Sequence, residues 1–215
     1  MPQDWKAYYE AHTVSAEKAV KCIKSNDKVV VGHAVGVPEI LVNAMTKDAM
    51  ERNLTGIMPM HVMTCGDCAY CKPEAQRHFT YNSFFLSANS RQAYWEGRAE
   101  FTPSNLSKVP YLMAHDLRPD VALIQVTPPN EDGYVSLGVS VDYTKPGAES
   151  AKIVIAEVND QYPWIHGDTL LHVSEIDYFV KSSRPIYEIE LTKSGEVERK
   201  IAENAKAWRV VEQTL

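Results

Sequence analysis

The chain has 215 residues and a formal net charge of −6 at neutral pH, with acidic and basic residues interspersed along its length. No lysine- and arginine-rich stripe is present to neutralise a row of phosphates, which argues against nucleic acid as the main partner and favours small molecules. No apolar run approaches the roughly 20 residues that a membrane span requires, and Met1–Lys24 contains no apolar signal-peptide core. We therefore expect a cytoplasmic protein with no membrane association, reduced thiols and one large hydrophobic core.

The first quarter of the sequence predicts a strand between two helices. Apolar residues at helical spacing, with lysines between them, predict an amphipathic helix over Thr13–Ser25. Lys28–Val31 is a predicted strand, and Gly32–Pro38 is a glycine-rich turn into a second helix over Glu39–Met50. Such a turn lets the backbone approach a bound group. Taken alone, it is more typical of a tight connection, since it matches neither a dinucleotide fingerprint nor a phosphate loop.

Three cysteines follow in a short stretch, Cys65, Cys68 and Cys71, at a spacing that invites an iron–sulfur or zinc interpretation. A fourth ligand is not evident, because Cys22 belongs to the first predicted helix and His78 is the nearest alternative. We therefore expect a loop of small, reduced thiols that holds no metal. A metal-binding or redox module built on these cysteines stays open as an alternative.

The middle of the chain is organised around a buried strand. Phe84–Leu86 is a strand candidate, and Arg91–Glu96 is a predicted short helix that Gly97 closes. Val121–Val126 is too short for a helix and rich in β-forming residues, as expected for a strand covered on both faces. The segment that follows, Thr127–Gly138, contains two prolines that cannot continue a ladder, and it therefore lies at the strand's carboxyl end, where open α/β sheets bind ligands.

The last third repeats the pattern. Ala151–Asn159 is a second predicted buried strand, and Ile176–Val180 and Ile186–Glu190 are the last predicted strands. Apolar residues spaced three or four apart predict an amphipathic helix over Lys193–Leu215. Strands and helices alternate throughout, which predicts an α/β fold with a mainly parallel sheet flanked by helices.

Several motifs form one ordered set along the chain. They are Gly32-His33-Ala34-x-Gly36-x-Pro38, Lys72-Pro73-Glu74, His78-Phe79-x-x-Asn82, Glu96-Gly97-Arg98-Ala99, Gln125-Val126-x-Pro128-Pro129, Gly133-Tyr134-x-Ser136-x-Gly138, Asp142-Tyr143-Thr144-Lys145-Pro146, Ala156-Glu157-Val158-Asn159 and Gly167-Asp168. Together they resemble the acetyl-CoA hydrolase/transferase family, and most closely its 4-hydroxybutyrate and butyryl-CoA:acetate CoA-transferases. The resemblance extends over residues 1 to about 205.

The resemblance implies a CoA-transferase superfold, of which residues 1–192 would form the N-terminal α/β domain and residues 193–215 a helical segment leading toward a C-terminal catalytic domain. Members move CoA from an acyl-CoA to a short-chain carboxylate through a glutamyl-CoA thioester, with CoA as a substrate and no further cofactor. No residue of this chain matches the motif of the nucleophilic glutamate. We therefore expect no catalytic residue in this chain. The implied partners are the acyl-CoA and carboxylate substrates, the C-terminal domain and further copies in a homo-oligomer.

We expect this N-terminal domain to contribute one wall of a substrate cleft. The resemblance places the turn that contains His33 toward the second domain, which makes His33 the first candidate for contacting the acyl or carboxylate part of the substrate. Glu149, Glu157 and Asp142 are more simply interpreted as paired, capping or solvated carboxylates. The further candidates, as donors or through backbone shape, are Gly36, Asn82, Tyr134, Ser136, Gly133 and Gly138.

Other functions compete with the transferase. An acyl-CoA hydrolase of the same family uses the same fold, and a scaffold without catalysis is also consistent with the sequence. An enzyme of the same superfold that acts on sugar phosphates is disfavoured, because no basic cluster accompanies the glycine-rich turns to hold a phosphate.

Overall fold

The computed structural model describes residues 4–188 and 194–212. Its centre is a seven-stranded sheet in the order β4–β3–β2–β1–β5–β7–β9, in which every neighbouring pair is parallel. A two-stranded antiparallel ribbon, β6–β8, lies apart from it. The strands are β1 Lys28–Val31, β2 Met58–His61, β3 Tyr81–Ser83, β4 Ala99–Phe101, β5 Val121–Val126, β6 Tyr134–Ser136, β7 Ile153–Asn159, β8 Leu170–His172 and β9 Tyr178–Ser182.

Helices cover both faces of the large sheet, as a parallel sheet requires. Side chains alternate along β1, so that Val29 and Val31 join one core with α3 while Val30 joins the other with α6. All six residues of β5 are buried. The helices are α1 Trp5–His12, α2 Ala16–Ala19, α3 Glu39–Glu51, α4 Ala88–Trp95, α5 Val109–Tyr111, α6 Thr144–Ser150 and α7 Glu196–Glu212. The predicted α/β fold with a parallel sheet is confirmed.

The strand order reverses between β1 and β5. From β1 the chain adds β2, β3 and β4 in one direction, and β5, β7 and β9 then extend the sheet from the other side of β1. Loops on either side of such a switch point separate and leave a crevice at the carboxyl edge, the edge of the sheet where the strands end. The turn after β1, which contains His33, begins at this crevice.

Two predicted elements differ from the structure. The helix predicted over Thr13–Ser25 is reduced to α2 and a tight turn at Val20–Cys22, because Ser15 caps a late start and Ile23 is already extended. The strand predicted at Phe84–Leu86 ends at Ser83 instead. Ser83 is polar but can end a buried strand, because its hydroxyl accepts a hydrogen bond from the buried Tyr81 hydroxyl at 2.8 Å.

The ends of the chain agree in part with the prediction. Residues 183–188 contain no strand, so the strand predicted at Ile186–Glu190 is wrong over its described part, while residues 189 and 190 lie outside the described residues. The helix predicted over Lys193–Leu215 is present as α7, and residues 193 and 213–215 lie outside the described residues. None of the helices in the described ranges is both long and apolar enough to cross a membrane.

A fully buried carboxylate ties the carboxyl edge together. Glu157 in β7 is completely shielded from solvent and pairs with the Arg184 guanidinium at 2.7 Å. It also accepts the backbone N–H of Ile40 at 3.1 Å, in the first turn of α3. The same arginine donates to the carbonyl of Val37 at 2.7 Å. Glu157 therefore fixes the start of α3 and with it the end of the turn that contains His33.

We predict that Glu157→Ala lowers the free energy of unfolding by about 3–5 kcal/mol, because it leaves the Arg184 guanidinium without its buried partner. Chemical denaturation monitored by circular dichroism measures the change. Glu149→Ala is the matched control: Glu149 is half exposed and pairs with Lys145 at 3.4 Å, so its loss should cost less than about 1 kcal/mol. Equal effects of the two substitutions would contradict this role for Glu157.

Candidate active site

A cavity of about 440 Å³ lies at the carboxyl edge. Its walls come from the segments that follow β1, β2 and β3, together with the stretch before and at the start of α5, and most of them are apolar. This volume is within the range of small-molecule sites. We call it the edge cavity; its lining residues are His33, Val62, Met63, Phe84, Phe85, Ser104, Asn105, Leu106 and Val109.

His33 is held on three sides. Its backbone N–H donates to the hydroxyl of Ser140 at 2.8 Å, and its Nδ1 contacts the carboxylate of Asp142. The imidazole also packs against the ring of Tyr143, with 5.4 Å between centroids. The other ring nitrogen, Nε2, is buried and has no hydrogen-bond partner. Buried polar atoms are nearly always paired, so an unpaired nitrogen in a residue that lines a cavity keeps His33 the first candidate for contact with a ligand atom.

The loop that supplies Asp142 is anchored to the sheet by Tyr143. This side chain is fully buried, and its hydroxyl donates to the carbonyl of Val31 at 2.9 Å and accepts the N–H of Val62 at 3.3 Å. Burial raises the pKa of Tyr143 well above its ordinary value, so the hydroxyl keeps the proton that it donates. Tyr143 thereby couples the ends of β1 and β2 to the loop opposite His33.

Gly36 is required by close packing of three loops. A Cβ at this position would lie 2.3 Å from the Cβ of Ser140 and 2.6 Å from the hydroxyl of Tyr162. The ring of Tyr162 in turn covers Gly138, where a Cβ would come within 2.4 Å and where φ is +53°. The expected contribution of Gly36 and Gly138 through backbone shape thus has a specific basis beside His33.

The other sequence candidates lie elsewhere and bond to the protein itself. Asn82 is inside β3, where its Oδ1 accepts from the Thr102 hydroxyl at 2.9 Å. The Ser136 hydroxyl accepts the N–H groups of Gly138 and Ile165, both at 3.1 Å. Tyr134 is in β6 with its ring against His172, and Gly133 packs beside Trp5. Neither Asn82, Ser136 nor Tyr134 lines the edge cavity, and their role as cleft donors stays a prediction.

Sequence analysis did not single out Asp142 as a partner of His33. The two residues are 109 positions apart, and no spacing rule connects a turn after β1 with a loop after β6. The one available signal was that Asp142 belongs to the ordered set of motifs. Glu149 and Glu157, the other two carboxylates weighed with it, are paired with Lys145 and Arg184.

The cysteine loop lies next to the turn that contains His33, since the N–H of Cys65 donates to the carbonyl of Ala34 at 3.3 Å. Cys68 and Cys71 are buried free thiols whose sulfur atoms are 2.8 Å apart. The hydrogen bond between them lowers the pKa of Cys68 and raises that of Cys71. Burial raises the pKa of the Cys65 thiol. Within the described residues, no three His, Cys, Asp or Glu side chains are grouped so as to hold a metal ion.

Comparison with known proteins identifies the family. The family model described as the acetyl-CoA hydrolase/transferase N-terminal domain matches residues 2–189. The chain belongs to this family. It is 46% identical over 202 residues to a 4-hydroxybutyrate coenzyme A transferase from Clostridium kluyveri, a match that covers 94% of this chain and 47% of that protein. The chain therefore spans about half the length of this relative.

Solved structures agree with this assignment. A 4-hydroxybutyrate CoA-transferase from Porphyromonas gingivalis is 33% identical and superposes with a TM-score of 0.70, over 86% of this chain and 43% of that one. RipA from Yersinia pestis is 26% identical and superposes with a TM-score of 0.85, over 90% of this chain and 47% of that one. The resemblance found in the sequence motifs, and the CoA-transferase fold that it implied, are confirmed.

We predict that the protein purified without added metal contains far less than one equivalent of zinc or iron. Iron–sulfur clusters and structural zinc sites are normally held by four ligands. Cys68 and Cys71 already form a hydrogen bond with each other. Elemental analysis of the purified protein, with a Cys65→Ser/Cys68→Ser/Cys71→Ser variant as the blank, measures this. Stoichiometric metal that the triple variant lacks would establish a metal site here.

Proposed function

We propose that this chain is the N-terminal half of a CoA-transferase that moves CoA from an acyl-CoA to a short-chain carboxylate of the 4-hydroxybutyrate, butyrate or acetate type. The observation on which this depends is the edge cavity, an apolar space of short-acyl size with one uncommitted histidine nitrogen. Similarity to the 4-hydroxybutyrate CoA-transferases over about half their length supports both the substrate class and the idea of a second half.

In the proposed reaction, carboxylate and thiolate nucleophiles attack acyl carbonyl carbons in turn. A glutamate carboxylate from the second half attacks the thioester carbonyl, the C–S bond breaks, and CoA leaves as a thiolate with an acyl-glutamyl anhydride left behind. The CoA thiolate then attacks the glutamyl carbonyl, forming the glutamyl-CoA thioester and releasing the first carboxylate. The acceptor carboxylate repeats these steps in reverse. Charge balances at each step, because one carboxylate or thiolate is consumed as another is formed.

The residues of this chain bind and orient the substrate in this scheme. Apolar side chains such as Val62, Met63 and Phe84 hold the acyl chain and keep water from the reactive intermediates. The Nε2 of His33, when the ring is protonated, donates to an oxygen of the acyl or carboxylate group. Asp142, Glu149 and Glu157 all have partners, which supports a nucleophile from the second half.

Hydrolysis is the competing outcome within the family, since water differs from the acceptor carboxylate only as the second nucleophile. The apolar walls of the edge cavity favour transfer, because a dry site protects the glutamyl thioester. Product analysis with and without acetate distinguishes the two: a transferase forms acetyl-CoA, whereas a hydrolase releases free CoA at the same rate in both cases.

The proposal predicts that the 215-residue chain alone exchanges no CoA between 4-hydroxybutyryl-CoA and acetate above the uncatalysed rate. No CoA adduct should appear on it by intact mass spectrometry. A chimera in which the chain is joined to the C-terminal half of the Clostridium kluyveri relative should transfer CoA and form an adduct on the added half. Exchange at an enzyme-like rate by the chain alone, with a CoA adduct on one of its own carboxylates, would contradict the proposal that the nucleophile belongs to the second half.

A further prediction concerns His33 in this chimera. His33→Ala should lower kcat/KM by about 100-fold, the loss expected when one oriented donor to developing negative charge, here the Nε2–H of the protonated ring, is removed. The melting temperature should fall by a few degrees at most, because the substitution removes one ring contact with Tyr143 and a partly exposed pair with Asp142. His115→Ala, which removes an exposed histidine stacked on Tyr111, is the control and should change neither quantity. Reduced stability with unchanged turnover per folded molecule would assign His33 a structural role.

A further inference from the structure

The carboxylate of Asp142 has a separate partner for each oxygen. Its Oδ1 accepts the backbone N–H of Tyr143 at 2.5 Å, and its Oδ2 contacts Nδ1 of His33. The backbone donor is held in place, since the buried Tyr143 hydroxyl bonds to Val31 at the end of β1 and to Val62 just after β2. The orientation of the carboxylate is therefore set by the fold before any ligand binds.

An ionised carboxylate only accepts hydrogen bonds, so the nitrogen that faces it must hold a proton. We infer that Asp142 is a positioning residue that keeps the His33 proton on Nδ1 and leaves Nε2 to the substrate. In the neutral ring Nε2 is then an acceptor, and after it gains a proton it is a cationic donor paired with Asp142. The ring does not offer a neutral Nε2–H. The expected effect of Asp142 on catalysis rests on the proposed function, whereas the expected position of the His33 ring proton does not.

The same geometry says what an isosteric substitution would do. In Asp142→Asn the N–H of Tyr143 still requires an acceptor, so the amide oxygen stays at the Oδ1 position. The amide nitrogen is then turned toward His33 and donates to Nδ1. This moves the ring proton to Nε2 with almost no change in shape, and an inverted tautomer of this kind abolishes most activity where histidine works beside a carboxylate.

The test measures the proton itself. With ¹⁵N-labelled histidine in the 215-residue chain, long-range ¹H–¹⁵N correlation spectra, recorded at rising pH until the ring signals stop shifting, distinguish the two neutral tautomers. His33 should carry its proton on Nδ1 in the wild-type chain and on Nε2 in Asp142→Asn. Ser140→Ala is the matched control. Ser140 lies in the same loop as Asp142, and its hydroxyl accepts the backbone N–H of His33, so its loss should leave the ring tautomer unchanged.

A proton on Nε2 in the wild-type chain would overturn the inference without any variant, and so would an Asp142→Asn chain that keeps the proton on Nδ1. In the chimera, Asp142→Asn should lower kcat/KM, because it removes the carboxylate that stabilises the cationic ring, and the double substitution should be no worse than His33→Ala alone, as expected for residues that act as a unit. Independent, multiplying losses would contradict positioning. A chimera inactive toward every carboxylate would refute the proposed function and leave the tautomer result standing.

Discussion

The buried ion pair of Glu157 with Arg184 is the constraint on which the carboxyl edge depends. A carboxylate without solvent contact is costly unless its charge and hydrogen bonds are satisfied. Here the required partners come from two separate segments, namely the first turn of α3 and the residues at and just after the end of β9. Neither segment satisfies Glu157 alone, so both have to be in place together. The turn after β1, which ends at α3, is fixed as a result.

A second anchor completes the site from the other side. Tyr143 bonds to the ends of β1 and β2, and its own backbone holds Asp142 against His33. The histidine is thus placed between two rigid supports, one at each end of its turn. This arrangement explains how a side chain on a loop keeps a single orientation, with one nitrogen bonded to the protein and the other without a hydrogen-bond partner. Precision of this kind is what catalytic positioning requires.

The sequence made the sheet predictable because its signals are local. The apolar run Val121–Val126 and its repeat at Ala151–Asn159 are long enough to specify buried strands, and they lie side by side in the sheet. Phe84 shows where local signals fail, since an apolar residue in a cavity wall has the same pattern as one in a strand. Asn82 and Ser136 show the converse: their polar groups lie on strands and are used for internal hydrogen bonds. His33 and Gly36 were identified through the family resemblance, and the contact with Asp142 required the three-dimensional structure.

The central claim is that the edge cavity holds the acyl part of the substrate against Nε2 of His33. A crystal structure of the chimera with 4-hydroxybutyryl-CoA, its nucleophilic glutamate replaced by alanine to prevent turnover, tests this most directly. We predict acyl density inside the cavity, between Met63 and Phe84, with one oxygen about 3 Å from Nε2. An acyl group bound outside the cavity, with Nε2 still unpaired, would contradict the account.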